Sequence, residues 1–357
     1  MEKMNFIAAD DKELSYMGRI DLTDVKAPMF YYAGSSVTVR FKGTYIKAVI
    51  RNRRIYNTQE VGAVIDGRQQ KYTFCEDGAW QGEYTLTLAQ GLENAEHEVI
   101  FFKRQDASHY FVFLGFETDG EVLPAKPKPQ RRMECYGDSV SAGAVVEAVS
   151  NVGMTDPENN DGIYDNAWYS YSMITARNLG AQLHNVAQGG IAIFDDTGYF
   201  HAPNCVGMES VYDKLCYIPE GEYTQWDFSR YTPQVVLFAV GQNDQHNEGR
   251  PDSDISEPLY REKWKNGYKG IINSLREHYP SAVFILLLTV LCHDAQWDKA
   301  VEEIKNELGG EQSGVYHFMF KRTGKATPGH PRIPEQYEMA EELTAFISSM
   351  GESIWEK

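Results

Sequence analysis

The 357-residue sequence predicts two domains of different class: an all-β jelly roll (β-sandwich), then an α/β domain of three layers with a parallel sheet. Three observations carry this. Residues 1–120 hold short β-branched or aromatic runs bounded by turn residues, with no long helical pattern. Residues 133–357 alternate apolar runs with amphipathic stretches, as a sheet covered by helices on both faces requires. Between them, residues 121–132 carry prolines at 124, 127 and 129 with lysines interleaved. Such a stretch joins neither a ladder nor a helix, and reads as a stiff connector.

In the first domain the predicted strands are Val37–Phe41, Val61–Ile65, Tyr84–Leu88, His97–Phe102 and His109–Phe116. Gly34-Ser35-Ser36, Asp66-Gly67 and Gly91-Leu92-Glu93-Asn94 supply the turns. In the second, strands are predicted at Met133–Tyr136, Ala181–Val186, Val235–Val240, Val283–Val290 and Val315–Phe320. Helical patterns cover Ala167–Leu179, Leu259–His278, Trp297–Leu308 and Pro334–Ser349, with Gly180 after the first and Pro334 opening the last. Residues 194–231 form a long excursion rich in Gly, Pro and aromatics, the kind of segment that walls an active site or contacts a domain.

Hydrophobic residues make up 42% and charged residues 24%, proportions that build a packed core. A formal net charge of −17 argues against nucleic-acid or anionic-membrane partners and favours a neutral substrate. No apolar run is long enough to span a bilayer. The opening residues Met1-Glu2-Lys3-Met4-Asn5-Phe6 lack the apolar region of a secretory signal, and five scattered cysteines read as reduced thiols. A cytoplasmic location is therefore expected, although a secreted chain with its signal removed reads the same. The histidines show no ligand spacing, so no metal and no cofactor is expected. Nothing in the sequence sets the oligomeric state.

The chemistry gathers at strand ends. Arg131–Tyr136 leads into Gly137-Asp138-Ser139, which places a hydroxyl at a helix start above the sheet edge. After the second strand comes Gln188-Gly189-Gly190, after the third Gly241-Gln242-Asn243-Asp244, and before the last helix His330-Pro331. Parallel strands put all these ends on one edge, so the groups converge. Ser139 needs a base to take its proton, and His330 is the base of suitable pKa. The oxyanion of acyl transfer needs donors, which the N–H groups of Ser139 and Gly190 (or Gly189) and the Asn243 amide can supply. Trp168 and Trp226 are candidate sugar-stacking rings.

These four blocks, in this order, resemble the SGNH (GDSL-type) hydrolases over residues 131–350. The resemblance implies Ser139 as nucleophile, His330 as base, Gly190 and Asn243 as oxyanion donors, and Asp138 and Asp244 as supporting residues. The β-rich domain, with Tyr16-Met17-Gly18-Arg19 and Ala33–Val37, and the later Tyr164–Tyr171 and Ala176-Arg177 are similar to carbohydrate esterase family 2. That family joins a jelly roll to an SGNH domain and removes O-acetyl groups from plant polysaccharides such as xylan, mannan and glucomannan. A GDSL lipase or thioesterase is the alternative, though the polar loops suit a sugar better than an acyl tunnel. The sequence departs from the pattern at Thr327, where most SGNH hydrolases have an aspartate three residues before the histidine. The expectation is a Ser-His dyad with a main-chain carbonyl orienting His330, or an acid taken from elsewhere, with Glu335 a candidate.

Overall fold

A computed structural model describes residues 5–74, 83–217, 224–245, 253–325 and 328–356. The chain divides into two compact units. One is Met1–Lys128 together with Asp161–Ile163; the other is Pro129–Asn160 with Tyr164–Lys357.

The first unit is built on one antiparallel sheet of ten strands. Its backbone is Ser36–Arg54, which pairs on one side with Tyr84–Lys103 and on the other with His109–Thr118. Val37, Val39 and Phe41 are buried while Thr38, Arg40 and Lys42 are not, the alternation of a strand with one face on a core. Phe101, Phe111, Phe113 and Phe116 complete that core. Asp66-Gly67 forms the expected two-residue hairpin turn, with both residues at positive φ. Gly91–Asn94 does not turn the chain. The strands expected at Tyr84–Leu88 and His97–Phe102 are one strand, Tyr84–Lys103. Pairing passes from Gly43–Ala95 to Tyr45–Gln90, so 91–94 is an excursion within the ladder, with Gly91 at φ +70°. The same residues that favour turns favour bulges.

Three residues hold the detached tripeptide in this unit. Thr58 donates through its N–H to the Asp161 carbonyl (3.1 Å) and through its hydroxyl to the Asp161 carboxylate (2.9 Å). Gln105 Nε2 donates to the Gly162 carbonyl (3.0 Å) and Lys71 Nζ to that of Ile163 (3.1 Å). The expected connector also narrows. Glu121–Leu123 pairs with Arg40–Lys42, and Arg131 already lies in a strand, so only 124–130 is free of ladder bonds. Pairing fails where the prolines begin.

The second unit contains five parallel strands: β1 (Arg131–Gly137), β2 (Ala181–Ala187), β3 (Val235–Ala239), β4 (Val283–Leu286) and β5 (Val315–His317). Their order is β2-β1-β3-β4-β5. β4 and β5 stop earlier than their apolar runs suggest: Leu287, Leu288 and Val290 after β4, and Phe318 and Phe320 after β5, are buried outside the ladder. Its helices include α1 (Ser139–Ala142), α2 (Tyr171–Asn178), α3 (Pro258–His278), α4 (Ala295–Glu307) and α5 (Ile333–Ser349), and one short turn, Met208–Val211, lies in the 194–231 excursion. The α2 pattern begins later than expected because Ala167–Tyr169 is a separate 3₁₀ turn and Ser170 caps the helix. On α3, Tyr260, Trp264, Tyr268, Ile271, Ile272 and Leu275 form the buried stripe at helical spacing.

Trp264 is fully buried, edge-on to Trp297 with ring centroids 5.1 Å apart, and lies under Gly241. Trp264→Ala should cost about 3–5 kcal/mol, as for large aromatic truncations in cores. Denaturant unfolding of wild type and variant, followed by tryptophan-independent far-UV signal, checks this; a loss under about 1 kcal/mol would contradict a packed core here.

Candidate active site

Gly137 at the end of β1 lies level with Ala187 of β2 and Ala239 of β3. The three segments that follow therefore leave the sheet at the same height, and they carry Ser139, Gly189-Gly190 and Gly241–Asn243. Asp138 caps α1, its carboxylate accepting the Val140 N–H at 3.0 Å. Burial pushes that carboxyl up to about 6, against the Val140 hydrogen bond and the charge of His330. Behind the nucleophile, Asn185 of β2 donates to the Ser141 carbonyl (2.9 Å), and the Ser141 and Tyr171 hydroxyls meet at 2.9 Å. The helix start that presents Ser139 is thus tied to β2 and α2.

His330 Nε2 lies 2.8 Å from Ser139 Oγ. The other ring nitrogen overturns the dyad expectation. Nδ1 meets no main-chain carbonyl; it meets Asp156 Oδ2 at 2.6 Å, and the His330 N–H donates to Asp156 Oδ1 at 2.9 Å. One carboxylate thus grips both backbone and ring of the histidine. Burial opposes its ionisation, but the hydrogen bonds and charge of His330 and the charge of Arg332 outweigh it and bring Asp156 down to about 2. Glu335 is not the acid either: its carboxylate accepts the Arg332 N–H at 2.9 Å and closes the first turn of α5. Thr327 lies outside the described residues.

Asp156 stands in the loop after α1, seventeen positions beyond Ser139, where no spacing rule looks for a triad acid. A weak sign was present beside the histidine. A Cβ on Gly329 would come within 2.5 Å of Asp156 Oδ1 and 2.7 Å of its backbone N, so only glycine lets the acid approach.

The Asn243 and Gly190 segments are bonded to each other. Asn243 Nδ2 donates to the Ile191 carbonyl at 2.9 Å, which leaves a second amide N–H to give. The buried Asp244 carboxylate accepts the Ile193 N–H (3.2 and 3.1 Å), and burial raises it to about 7. Gly190 has φ +76°, and a Cβ there would meet Phe200 N at 2.9 Å. The two tryptophans differ. Trp226 is buried with Leu215 and Tyr231, edge-on to His184 and under Arg230, so it is a core ring and not a sugar platform. Trp168 is half-buried with Arg177 4.1 Å from its ring centroid, a cation–π contact that occupies one face.

Serine, histidine and carboxylate in hydrogen-bond sequence at the C-terminal edge of a parallel sheet is the arrangement of a serine hydrolase. Residues 16–127 match the family described as Carbohydrate esterase 2 N-terminal. The chain is 30% identical over 352 residues to the cellulase/esterase CelE of Acetivibrio thermocellus; this covers 95% of the chain but spans 40% of that protein's length. It is 25% identical to the acetylxylan esterase / glucomannan deacetylase of Cellvibrio japonicus, covering 96% of the chain and 90% of that protein. A solved family two carbohydrate esterase from Clostridium thermocellum, in complex with cellohexaose, superposes with TM-score 0.76 at 28% identity, covering 94% of this chain and 98% of that one. The chain carries the N-terminal domain of carbohydrate esterase family 2 and resembles enzymes of that family along nearly its whole length.

Two substitutions read out the acid. Asp156→Asn should lower kcat by about 10³–10⁴-fold, the loss when a triad histidine is left in the wrong tautomer. Near wild-type turnover would restore the dyad. Gly329→Ala should push the carboxylate off the ring and cost about 10²-fold in kcat with KM little changed. The pH dependence has a definite sign. Asp156 is lowered from its ordinary 3.8 to about 2, so its stabilisation is complete above about 4 and is lost as pH falls through 2. The stability gap between wild type and Asp156→Asn, measured by denaturant at each pH, should be full near pH 5 and close as pH falls from about 4 through 2.

Proposed function

We propose that this chain is a serine esterase that removes O-acetyl groups from oligo- or polysaccharides. The observation that carries the reading is the relay Ser139 Oγ, His330 Nε2, His330 Nδ1, Asp156 Oδ2, with steps of 2.8 and 2.6 Å across the ring. In the catalytic cycle His330 takes the Ser139 proton as Oγ attacks the acetyl carbonyl. Asp156 fixes the tautomer and stabilises the imidazolium that forms. The Ser139 and Gly190 N–H groups and the Asn243 amide are the proposed donors to the oxyanion. Collapse returns the proton to the departing sugar hydroxyl and leaves an acetyl-serine, which water cleaves by the same steps in reverse.

The substrate class rests on the relatives, named for acetylxylan and glucomannan, and on a solved relative that holds cellohexaose. The net charge of −17 suits a neutral carbohydrate over a polyanion. Trp168 remains a candidate sugar contact. We read the N-terminal sheet unit as a jelly roll and the catalytic unit as an SGNH fold, in line with the family resemblance.

Ser139→Ala should abolish hydrolysis of p-nitrophenyl acetate, leaving only oxyanion and binding effects. Asn243→Ala should lower kcat by about 10²–10³-fold with KM nearly unchanged. A panel of acetylated xylo-, manno- and gluco-oligosaccharides, with product analysis by position, tests the substrate. Faster turnover of long-chain aryl esters than of acetates would favour a lipase or thioesterase instead.

A further inference from the structure

Arg332 follows the histidine by two residues and its side chain is completely buried. A buried guanidinium carries five donors and a full charge, and both must be matched by protein groups. Its acceptors come from three separate stretches of chain. Nε donates to the Ala148 carbonyl at 3.2 Å, and Nη2 to the Thr155 carbonyl at 3.3 Å. Nη2 also lies 2.9 Å from Asp156 Oδ1, and Nη1 donates to the His330 carbonyl. Asp156 is the carboxylate that reaches this charge among the described residues. The backbone follows the same path, with the Ile333 N–H bonded to the Val146 carbonyl at 2.9 Å.

We propose that Arg332 is the positioning residue of this site, holding the acid loop against the histidine loop so that Asp156 meets His330 Nδ1. This rests on the triad reading above and adds to it. The loop bearing Asp156 has no helix or sheet ladder at that point, and Arg332 replaces one by binding two carbonyls that precede the acid, those of Ala148 and Thr155, and the carboxylate itself. The two groups need each other: without Asp156 the guanidinium is a buried unpaired charge, and without Arg332 the carboxylate loses one of its three donors. Arg332 also helps keep Asp156 ionised, so the Nδ1 proton stays on the ring. Lysine cannot copy this, since one ammonium cannot reach acceptors spread in a plane.

A double-mutant cycle tests the coupling, with Arg332→Gln and Arg332→Lys each made in wild type and in Asp156→Asn. The readouts are kcat and KM on p-nitrophenyl acetate, the pH profile of kcat/KM, and the unfolding midpoint. In the wild-type background Arg332→Gln should lower kcat by about 10²-fold with KM held, and Arg332→Lys by about tenfold. In Asp156→Asn the same changes should cost less than about threefold, because the contact they support is already gone. The acidic limb of kcat/KM should shift in Arg332→Gln and stay put in the double variant. If Arg332→Gln does not fold, Arg332→Lys carries the cycle alone. Equal losses in both backgrounds, or a lower midpoint with unchanged kcat, would show a merely structural arginine and overturn the proposal while the triad stands. A harmless Asp156→Asn would remove the triad reading and the proposal together.

Discussion

β1 is paired on both sides in parallel register, and this pairing is the constraint on which the site depends. With Gly137 level with Ala187 and Ala239, three loops start from one line. Groups separated by about a hundred residues then need only a few residues of loop each to reach a common centre. A one-residue slip of β2 or β3 would displace the loop that follows it relative to Ser139 and turn that strand's side chains to the other face of the sheet. The apolar runs of these central strands, buried on both sides, make such a slip costly: all of Val235–Ala239 is buried.

Three carboxylates around Ser139 show how position alone assigns their roles. Asp138 and Asp244 are enclosed by the sheet edge and are driven up to about 6 and about 7 by burial. Asp138 gives one oxygen to the Val140 N–H and Asp244 gives both to the Ile193 N–H, so they shape loops. Asp156 is less enclosed, and the hydrogen bonds and charge of His330 with the charge of Arg332 bring it down to about 2. It alone is suited to sit opposite an imidazolium. The same functional group serves as brace or as counter-charge according to what surrounds it.

Much of this was legible in the chain. The Gly-Asp-Ser strand end announced Ser139, and the late His-Pro announced His330, which the fold brings to 2.8 Å from it. The acid was not legible, since Asp156 belongs to an irregular loop whose path is set by tertiary bonds to Arg332 and not by any period. Trp226 misled for a related reason: aromatic residues in a long excursion look available until the excursion folds on itself, as Lys214–Cys216 and Thr224–Gln225 do. Gly91–Asn94 misled because bulges and turns draw on the same residues.

The tripeptide Asp161–Ile163 has a consequence for inheritance. The chain enters the first unit at its start and again at position 161, so the proline stretch is one crossing among several. A gene fusion or shuffling event that cut within 124–130 would strand three residues from Thr58, Lys71 and Gln105. The N-terminal unit is thus not a removable cassette of the kind often appended to carbohydrate-active proteins. Descent should keep the two units as a single heritable block.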